Sequence, residues 1–278
     1  MTGKLTIVPT PIGNLGDMTA RALDALEQAD VVCAEDTRVT GKLLARFGIQ
    51  ARLERCDENV IASKSAALVA RMCDGESIAF CSDAGMPGIS DPGIVLVDAA
   101  RDAGVLVDVL PGPCAMTTAL VTSGFKHNAF YFGGFLPRKE VERIKLLESL
   151  AALDAALVFY ESPHRVTAAV ESIAQVYDER PVALCRELTK LHEEVLRLPA
   201  NELADNLAAR DAIKGEIVLV IASPDMRAQQ AASLDDPALH ERIQAELAAG
   251  ASKSALAKEL SRELGLPKNR LYDLILGM

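Results

Sequence analysis

The chain is 278 residues long, 50% hydrophobic but only 4% aromatic, without Trp, and carries a formal net charge of −10. This length suits two compact domains, and the acidic balance excludes non-specific nucleic-acid binding through overall charge while leaving room for a local basic face. The amino terminus reads directly as a strand with no leader, and no apolar stretch approaches the ~20 residues that span a bilayer, so a cytoplasmic protein without membrane contact is expected.

Apolar runs at 5–8 (LTIV), 31–34 (VVCA), 78–81 (IAFC) and 105–110 (VLVDVL) predict strands. Helical patterns fall between them at 18–29, 38–47, 60–73 and 92–103, with Gly48, Gly75 and Gly104 where C-caps belong. This alternation predicts a parallel sheet with helices on both faces. A bridging helix over 113–124 follows. From about residue 126 the pattern changes, with strands predicted at 129–135, 155–160, 181–186, 193–198 and 216–222 and helices at 138–152, 163–177 and 200–210. Only six residues separate the third and fourth of these strands, too few for a parallel crossover, so the second sheet should be mixed and contain a hairpin. A break at 223–237 reads as a linker, and three short helical patterns occupy 237–276. The expected class is α/β. A parallel-sheet domain covers 1–122, a mixed-sheet domain over 123–225 completes a ligand cleft, and a helical segment covers 237–278.

Two strand-ending loops are rich in Pro, Gly and Asp: LTIVPTPIGNLGDMT (5–19) and SIAFCSDAGMPGISDPG (77–93). Loops at the carboxyl ends of parallel strands are where small ligands bind. Neither matches the G-x-G-x-x-G or G-x-x-x-x-G-K-[ST] nucleotide patterns. VLPGPCAMTTA (109–119) adds Pro111 and Gly112 at a strand-to-helix turn, where glycine lets backbone approach a ligand closely. FYESPHR (159–165), CRELTK (185–190) and KGEIVLVI (214–221) end or begin strands of the second domain and converge on the same cleft. The six cysteines are scattered without C-x-x-C, and Cys33, Cys81 and Cys185 sit in strand-like runs, where packing is their expected role. His127, His164, His192 and His240 show no ligand spacing, so no metal site is expected.

Taken in order, VPTPIGNLGDMTARAL (8–23), AEDTR (34–38), SDAGMPGISDPG (82–93), LPGPCAMTTAL (110–120), GGFLPRK (133–139), FYESPHR, RELTK (186–190) and KGEIVLVI resemble the tetrapyrrole methylase family. Within it, the chain is similar to the branch that methylates small-subunit (16S) ribosomal RNA on the 2′-hydroxyl of a cytidine. The resemblance spans nearly the whole chain. It implies two α/β domains, S-adenosylmethionine in the cleft, a homodimer, and ribosomal RNA, within the assembled small subunit, as substrate. It places cofactor contacts at Ile12, Gly13, Asp83, Gly85, Met86, Ala115, Met116, Tyr160, Leu188 and Gly215. One segment departs from the family pattern. Where H-x-H-N-E is usual, this chain reads RCDENV (55–60), so Cys56 and Asp57 replace imidazoles while Glu58 and Asn59 keep a carboxylate and an amide.

Methyl transfer from a sulfonium to a ribose hydroxyl needs alignment first and a base second. Carboxylates near strand ends, Glu35, Asp36, Asp57, Glu58, Glu161 and Glu187, are candidate bases, and Lys190 is a candidate to polarise the hydroxyl or bind phosphate. Glu35 and Asp36 beside Arg38 also read as an ion-paired helix start. His164 and Arg165 read as phosphate contacts at the cleft rim, or as a helix cap. Two basic clusters stand out: Arg138, Lys139, Arg143 and Lys145, and in the tail Lys253, Lys258, Arg262, Lys268 and Arg270. The tail, with Gly250 and Gly265 as breaks and Leu256, Leu260 and Leu264 on one stripe, reads either as a helix-turn-helix-like RNA-docking module or as an amphipathic cap. Scarce aromatics favour recognition of assembled RNA shape over loose single strands. Two other readings stay open: a C-methyltransferase of tetrapyrrole precursors, and a non-catalytic RNA-binding assembly factor.

Overall fold

The computed structural model describes residues 3–224, 234, 237–264, 266 and 268–278. The first sheet contains β1 (Lys4–Ile7), β2 (Val31–Ala34), β3 (Leu53–Arg55), β4 (Ile78–Cys81) and β5 (Leu106–Val109) in the order β3-β2-β4-β1-β5. All its pairings are parallel. Its helices are α1 (Ala20–Gln28), α2 (Thr37–Arg46), α3 (Ile61–Cys73) and α4 (Ile94–Asp102).

Strand alternation sends Leu5, Ile7, Cys33, Ile78 and Phe80 to one face, where Ile61, Leu68 and Met72 of α3 and Leu96 of α4 cover them. Val32, Ala34, Ala79 and Cys81 face the other way, under Leu26 of α1 and Leu44 of α2. Both faces of β2 and β4 are therefore dry, which is why these strands read as unbroken apolar runs. The edge strand β3 is different. Its three residues include Glu54 and Arg55 and are not fully buried, so no apolar run betrays it and the sequence reading passed over it. Gly48 and Gly104 do hold left-handed backbone, each at φ +72°, just past α2 and α4.

The second sheet is mixed, as the short 187–193 connection requires. Its strands β6 (Phe130–Phe135), β7 (Ala156–Glu161), β8 (Pro181–Arg186), β9 (Glu194–Pro199) and β10 (Ile217–Ile221) run in the order β6-β7-β10-β8-β9. Only β6 and β7 pair in parallel, and β8–β9 is the hairpin. One face, with Leu157, Phe159, Leu184 and Leu219, packs on α6 (Glu140–Leu150), α7 (Val166–Tyr177) and α8 (Ala200–Ala208). The other, with Val158, Ala183, Cys185, Val218 and Val220, packs on α5 (Ala115–Thr122), the predicted bridging helix. Chain between the two sheets thus covers the second one.

Two sheets with their helices form one compact unit, Met1–Ala151 with Ala155–Ala222. The second unit comprises Ala152–Asp154 and Ser223–Met278. In it, helices Pro237–Ala248, Lys253–Leu264 and Lys268–Gly277 bury Leu239, Ile243, Leu256, Leu260, Leu271 and Ile275 against one another. Leu264 is exposed, so the expected leucine stripe ends at Leu260. Most of the expected linker at 223–237, and Gly265, lie outside the described residues.

The first basic cluster is broken up by the fold. Arg143 is buried, and its guanidinium donates to Ser172 Oγ at 2.9 Å and to the Ala168 carbonyl at 3.1 Å. An i, i+4 position on the inner face of α6 turns it into the core, where it satisfies α7 instead of solvent. Lys139 pairs with Glu142 at 2.9 Å.

β6 carries a bulge: Phe132 pairs with Val158, but Phe135, not Gly134, pairs with Tyr160. A Cβ on Gly133 would fall 2.3 Å from Cε1 of the fully buried Phe159, so only glycine fits. Gly133→Ala should cost about 1–3 kcal/mol of stability through overpacking. Chemical denaturation measures it, and an unchanged midpoint would contradict this packing.

Candidate functional site

The ligand loops are braced before any ligand is considered. Thr10 and Gly85 exchange both backbone hydrogen bonds, at 3.0 and 2.9 Å, which staples the loop after β1 to the loop after β4. Thr10 Oγ1 also donates to the Ser82 carbonyl at 3.1 Å. Gly85 holds φ +83°, a conformation a side chain would disfavour. Between these loops, α5 and the ends of β7, β8 and β10 lies a pocket of about 390 Å³, within the usual range for small-molecule sites.

Ile12, Asp83, Gly85, Met86, Ala115, Tyr160, Leu188 and Gly215, all expected at a cofactor, line this pocket. Gly13 stands outside the lining, packed so tightly that a Cβ would meet Lys190 Cγ at 2.4 Å. Met116 is buried in the core at the start of α5. Gly112 does permit a close approach, but to Pro9, whose Cγ would lie 2.4 Å from a Cβ there, and not to the pocket. Loop against loop, not loop against ligand, fixes that glycine.

Of the candidate catalytic groups, Glu35 and Glu161 line the pocket, whereas Asp36, Glu58, Glu187 and Lys190 do not. Asp36 caps α2 by accepting the Arg38 N–H at 2.8 Å and pairs with its guanidinium, which holds the carboxyl far below the usual range. Its own N–H donates to Asp83 Oδ1 at 3.0 Å. The AEDTR segment thus works in two ways: its carboxylate at 36 is spent at the helix start, and its backbone orients Asp83.

Glu187 and Lys190 form a separate brace. Lys190 Nζ lies 2.8 Å from Glu187 Oε1 and 2.9 Å from Glu216 Oε2, and Glu187 Oε1 also accepts the Glu216 N–H at 2.9 Å. Lys190 first, then that N–H, lowers the Glu187 carboxyl. Burial opposes the Lys190 charge, but the two carboxylates raise its ammonium above its ordinary value. The Glu187 side chain fills the space where Gly215 lacks a Cβ, at 2.4 Å from its own Cγ. Thr189 Oγ1 accepts the Asn14 N–H at 3.1 Å, joining this brace to the loop after β1. Its backbone is strained accordingly, with Glu187 at φ +52° and Thr189 at φ +66°.

Glu161 is buried, and desolvation raises its carboxyl. Oε1 accepts the Ser162 N–H at 2.7 Å, while Oε2 lies 3.2 Å from the Arg165 guanidinium but off a hydrogen-bonding line. Arg165 also donates to the Leu136 carbonyl. It points inward, so the expected phosphate contact is corrected: the buried carboxylate claims the cation, and only His164 of that pair is exposed. Neither residue caps α7 with its side chain. In the departing RCDENV segment Cys56 is buried and Asp57 pairs with Arg55 and accepts the Asn59 N–H at 3.1 Å. Exposed Glu58 and Asn59 are not part of the lining.

The pocket's charge is one-sided. Glu35, Asp83, Asp91, Glu161 and Glu216 line it, and among the described residues none of the lining groups is basic. Burial raises Glu35 and Asp83. Burial, with the Glu35 charge beside it, pushes Asp91 up to about 6. Asp91 stands within SDAGMPGISDPG but drew no role from the sequence, since nothing in a loop motif shows that Asp91 is more deeply desolvated than Asp83 and sits beside the Glu35 charge. Phe135, Ser90 and Ser162 are further lining residues that the sequence did not single out. Among the described residues no group of His, Cys, Asp and Glu is arranged to hold a metal.

Comparison with known proteins adds a lineage to this geometry. The sequence profile of the family described as Tetrapyrrole (Corrin/Porphyrin) Methylases matches residues 4–204. A protein named Ribosomal RNA small subunit methyltransferase I from Micromonospora olivasterospora is 41% identical over 274 residues, covering 98% of this chain and 86% of that one. One of the same name from Escherichia coli O157:H7 is 43% identical over 276 residues, covering 97% and 93%. Among solved structures, uroporphyrin-III-C-methyltransferase from Thermus thermophilus superposes with a TM-score of 0.55 at 22% identity, over 80% of this chain and 93% of that one, and so shares the fold.

Asp91 yields a pH prediction. Its folded-state value is raised from 3.8 to about 6, so its contribution to stability is full below about pH 3.8 and is lost as pH rises through about 6. The stability difference between wild type and Asp91→Asn in denaturant should shift against the wild type as pH rises from about 4 to above 6; a difference that does not change with pH would contradict the assignment.

Proposed function

The chain belongs to the tetrapyrrole methylase family, and we propose that it methylates small-subunit (16S) ribosomal RNA with S-adenosylmethionine, at the 2′-hydroxyl of a cytidine. The observation that carries this reading is the pocket, where Glu35, Asp83 and Asp91 stand beside the apolar walls of Ile12, Met86, Ala115 and Leu188. Such a lining fits a cationic ligand with a flat apolar part. S-adenosylmethionine supplies a methyl group already activated on a sulfonium. The carboxylates offer the counter-charge its ammonium and sulfonium need, and Met86 offers soft packing to its adenine. The glycine backbones at 85 and 215 admit close approach.

Among the carboxylates we assign the base to Asp91. Asp36 and Glu187 are held by Arg38 and Lys190, Glu58 is outside the lining, and Glu161 faces Arg165. Asp91 faces the pocket without a basic partner among its lining residues, and its value near 6 suits a base that must accept a proton near neutrality. Glu35 tunes it by like charge. Glu161 and the Glu187–Lys190–Glu216 brace shape the wall.

A nucleoside also suits the pocket as acceptor. It inserts a neutral base and ribose and leaves phosphates outside, whereas a tetrapyrrole precursor brings its own carboxylates towards five others. Exposed Arg138 and His164 are open to phosphates in the first unit, Arg38 and Lys139 are exposed but ion-paired with Asp36 and Glu142, and Lys253, Lys258, Arg262, Lys268 and Arg270 are exposed on the helices of 237–278, the segment we assign to RNA docking. With residues 1–122 and 123–225 as the two halves of the cofactor cleft, the working form is a homodimer acting on the assembled small subunit in the cytoplasm. Exposed Ile94, Leu106, Val109 and Val121 offer apolar surface to a second copy. Among the described residues no helix is long and apolar enough to cross a membrane.

Transfer of labelled methyl to naked RNA, assembled small subunits and a tetrapyrrole precursor tests the reading. Label should map to a cytidine ribose of the subunit. In Asp91→Asn, kcat should fall about 10²–10⁴-fold, far more than affinity for S-adenosylhomocysteine falls, and wild-type kcat/KM should rise with pH through about 6. Label on the tetrapyrrole would move the chain to the biosynthetic branch, and cofactor binding without transfer would make it an assembly factor.

A further inference from the structure

The bulge in β6 re-aims one side chain. Paired residues on neighbouring strands point to the same face, and that face alternates along each strand. Regular continuation from Phe132 opposite Val158 would place Gly134 opposite Tyr160 and turn Phe135 to the face of Leu157 and Phe159, over α7. The extra residue instead sets Phe135 opposite Tyr160, on the face of Phe132 and Val158. Its ring stands edge-on to Tyr160, with centroids 5.8 Å apart and planes at 70°. The bulge thus moves a phenyl ring from a core-facing position to the pocket wall, as bulges beside functional sites do.

There the residue stays 53% exposed. That is a costly place for one of only seven Phe in a chain without Trp. Tyr160, the other aromatic lining the pocket, is held through its ring, which meets Phe132 at 5.0 Å as well as Phe135. Phe135 is therefore backed by a fixed ring and presents an open apolar surface. The loop holding Asp91 packs beside it, for a Cβ on Gly134 would lie 3.3 Å from Ser90 Oγ. Ser90 itself holds φ +62°, the kind of strain retained where position matters.

We propose that Phe135 is the stacking platform for the acceptor nucleobase, holding an unstacked base on its exposed ring so that the attached ribose hydroxyl lies at Asp91. A ribose buried in a regular helix cannot enter a pocket, so its nucleotide must leave the stack, and a planar aromatic surface offsets that cost. The placement is economical, because base and hydroxyl sit on one nucleoside and their receptors, Phe135 and Asp91, sit on adjoining segments of one rim. Every base has a π-face, so this contact positions the nucleotide without reading its identity. The inference rests on RNA ribose being the acceptor, as proposed above.

Methyl transfer should be compared for wild type, Phe135→Ala and Phe135→Trp, on small subunits assembled with intact RNA and with RNA abasic at the mapped target. Phe135→Ala should lower kcat/KM for intact RNA about 10–100-fold, as loss of one stacked base does. Affinity for S-adenosylhomocysteine and molecular mass should not change, and Phe135→Trp should keep activity. Wild type should lose a similar factor on the abasic target, and Phe135→Ala should lose no more there, since both changes remove the same contact. Full activity of Phe135→Ala, parallel loss of cofactor affinity, an altered mass, or losses that multiply would each overturn the platform while leaving RNA methylation standing. No transfer by wild type to intact RNA would instead sink the underlying reading, and the platform with it.

Discussion

Like charges held close in a partly dry pocket set the terms for the rest of the molecule. Glu35, Asp83 and Asp91 share one wall, and burial raises all three. Carboxylates so placed would separate or reach for solvent unless the backbone held them. The backbone does so: Thr10 and Gly85 clasp two loops, and the Asp36 N–H fixes the Asp83 carboxylate. A cationic ligand relieves this repulsion, so the folded chain is poised to take one.

Beside the pocket, a second set of charges is held by ion pairing. Lys190 bridges Glu187 and Glu216 and leaves the triad one negative charge, around a glycine that leaves room for it, and the Thr189 hydroxyl carries the brace to Asn14. Two side-chain-bearing residues accept left-handed backbone to complete it. The ion triad and its hydrogen bonds offset that strain. Such groups look catalytic in a sequence because they are charged and lie near strand ends, yet their charges are already committed. What separates them from Asp91 is partnership, not residue type.

Cations follow the same logic. Arg143 and Arg165 belong to segments that read as basic surface, but each is drawn inward, one to Ser172 and helix carbonyls and the other to Glu161. Arginine suits such duty because its planar fork satisfies several acceptors at once. The result is an acidic pocket with its basic groups set outside the lining, a separation that lets a nucleoside enter while its phosphates stay at the rim.

Much of this was legible in the sequence. Apolar runs marked β1, β2, β4 and β5, most plainly β2 and β4, which are dry on both faces and must be apolar throughout, and a short gap was enough to demand a hairpin between β8 and β9. Loop chemistry marked the pocket, since Pro, Gly and Asp gathered at strand ends favour tight turns. Tertiary structure decided the rest. The strand β3 has no apolar run of its own and exists because β2 offers it an edge. Met116 and Gly112 serve packing, while Phe135 reaches the pocket only because one extra residue shifts the register of β6. Which carboxylate is free, and which is spent, depends on partners tens of residues away, and a pattern along the chain cannot display a distance across it.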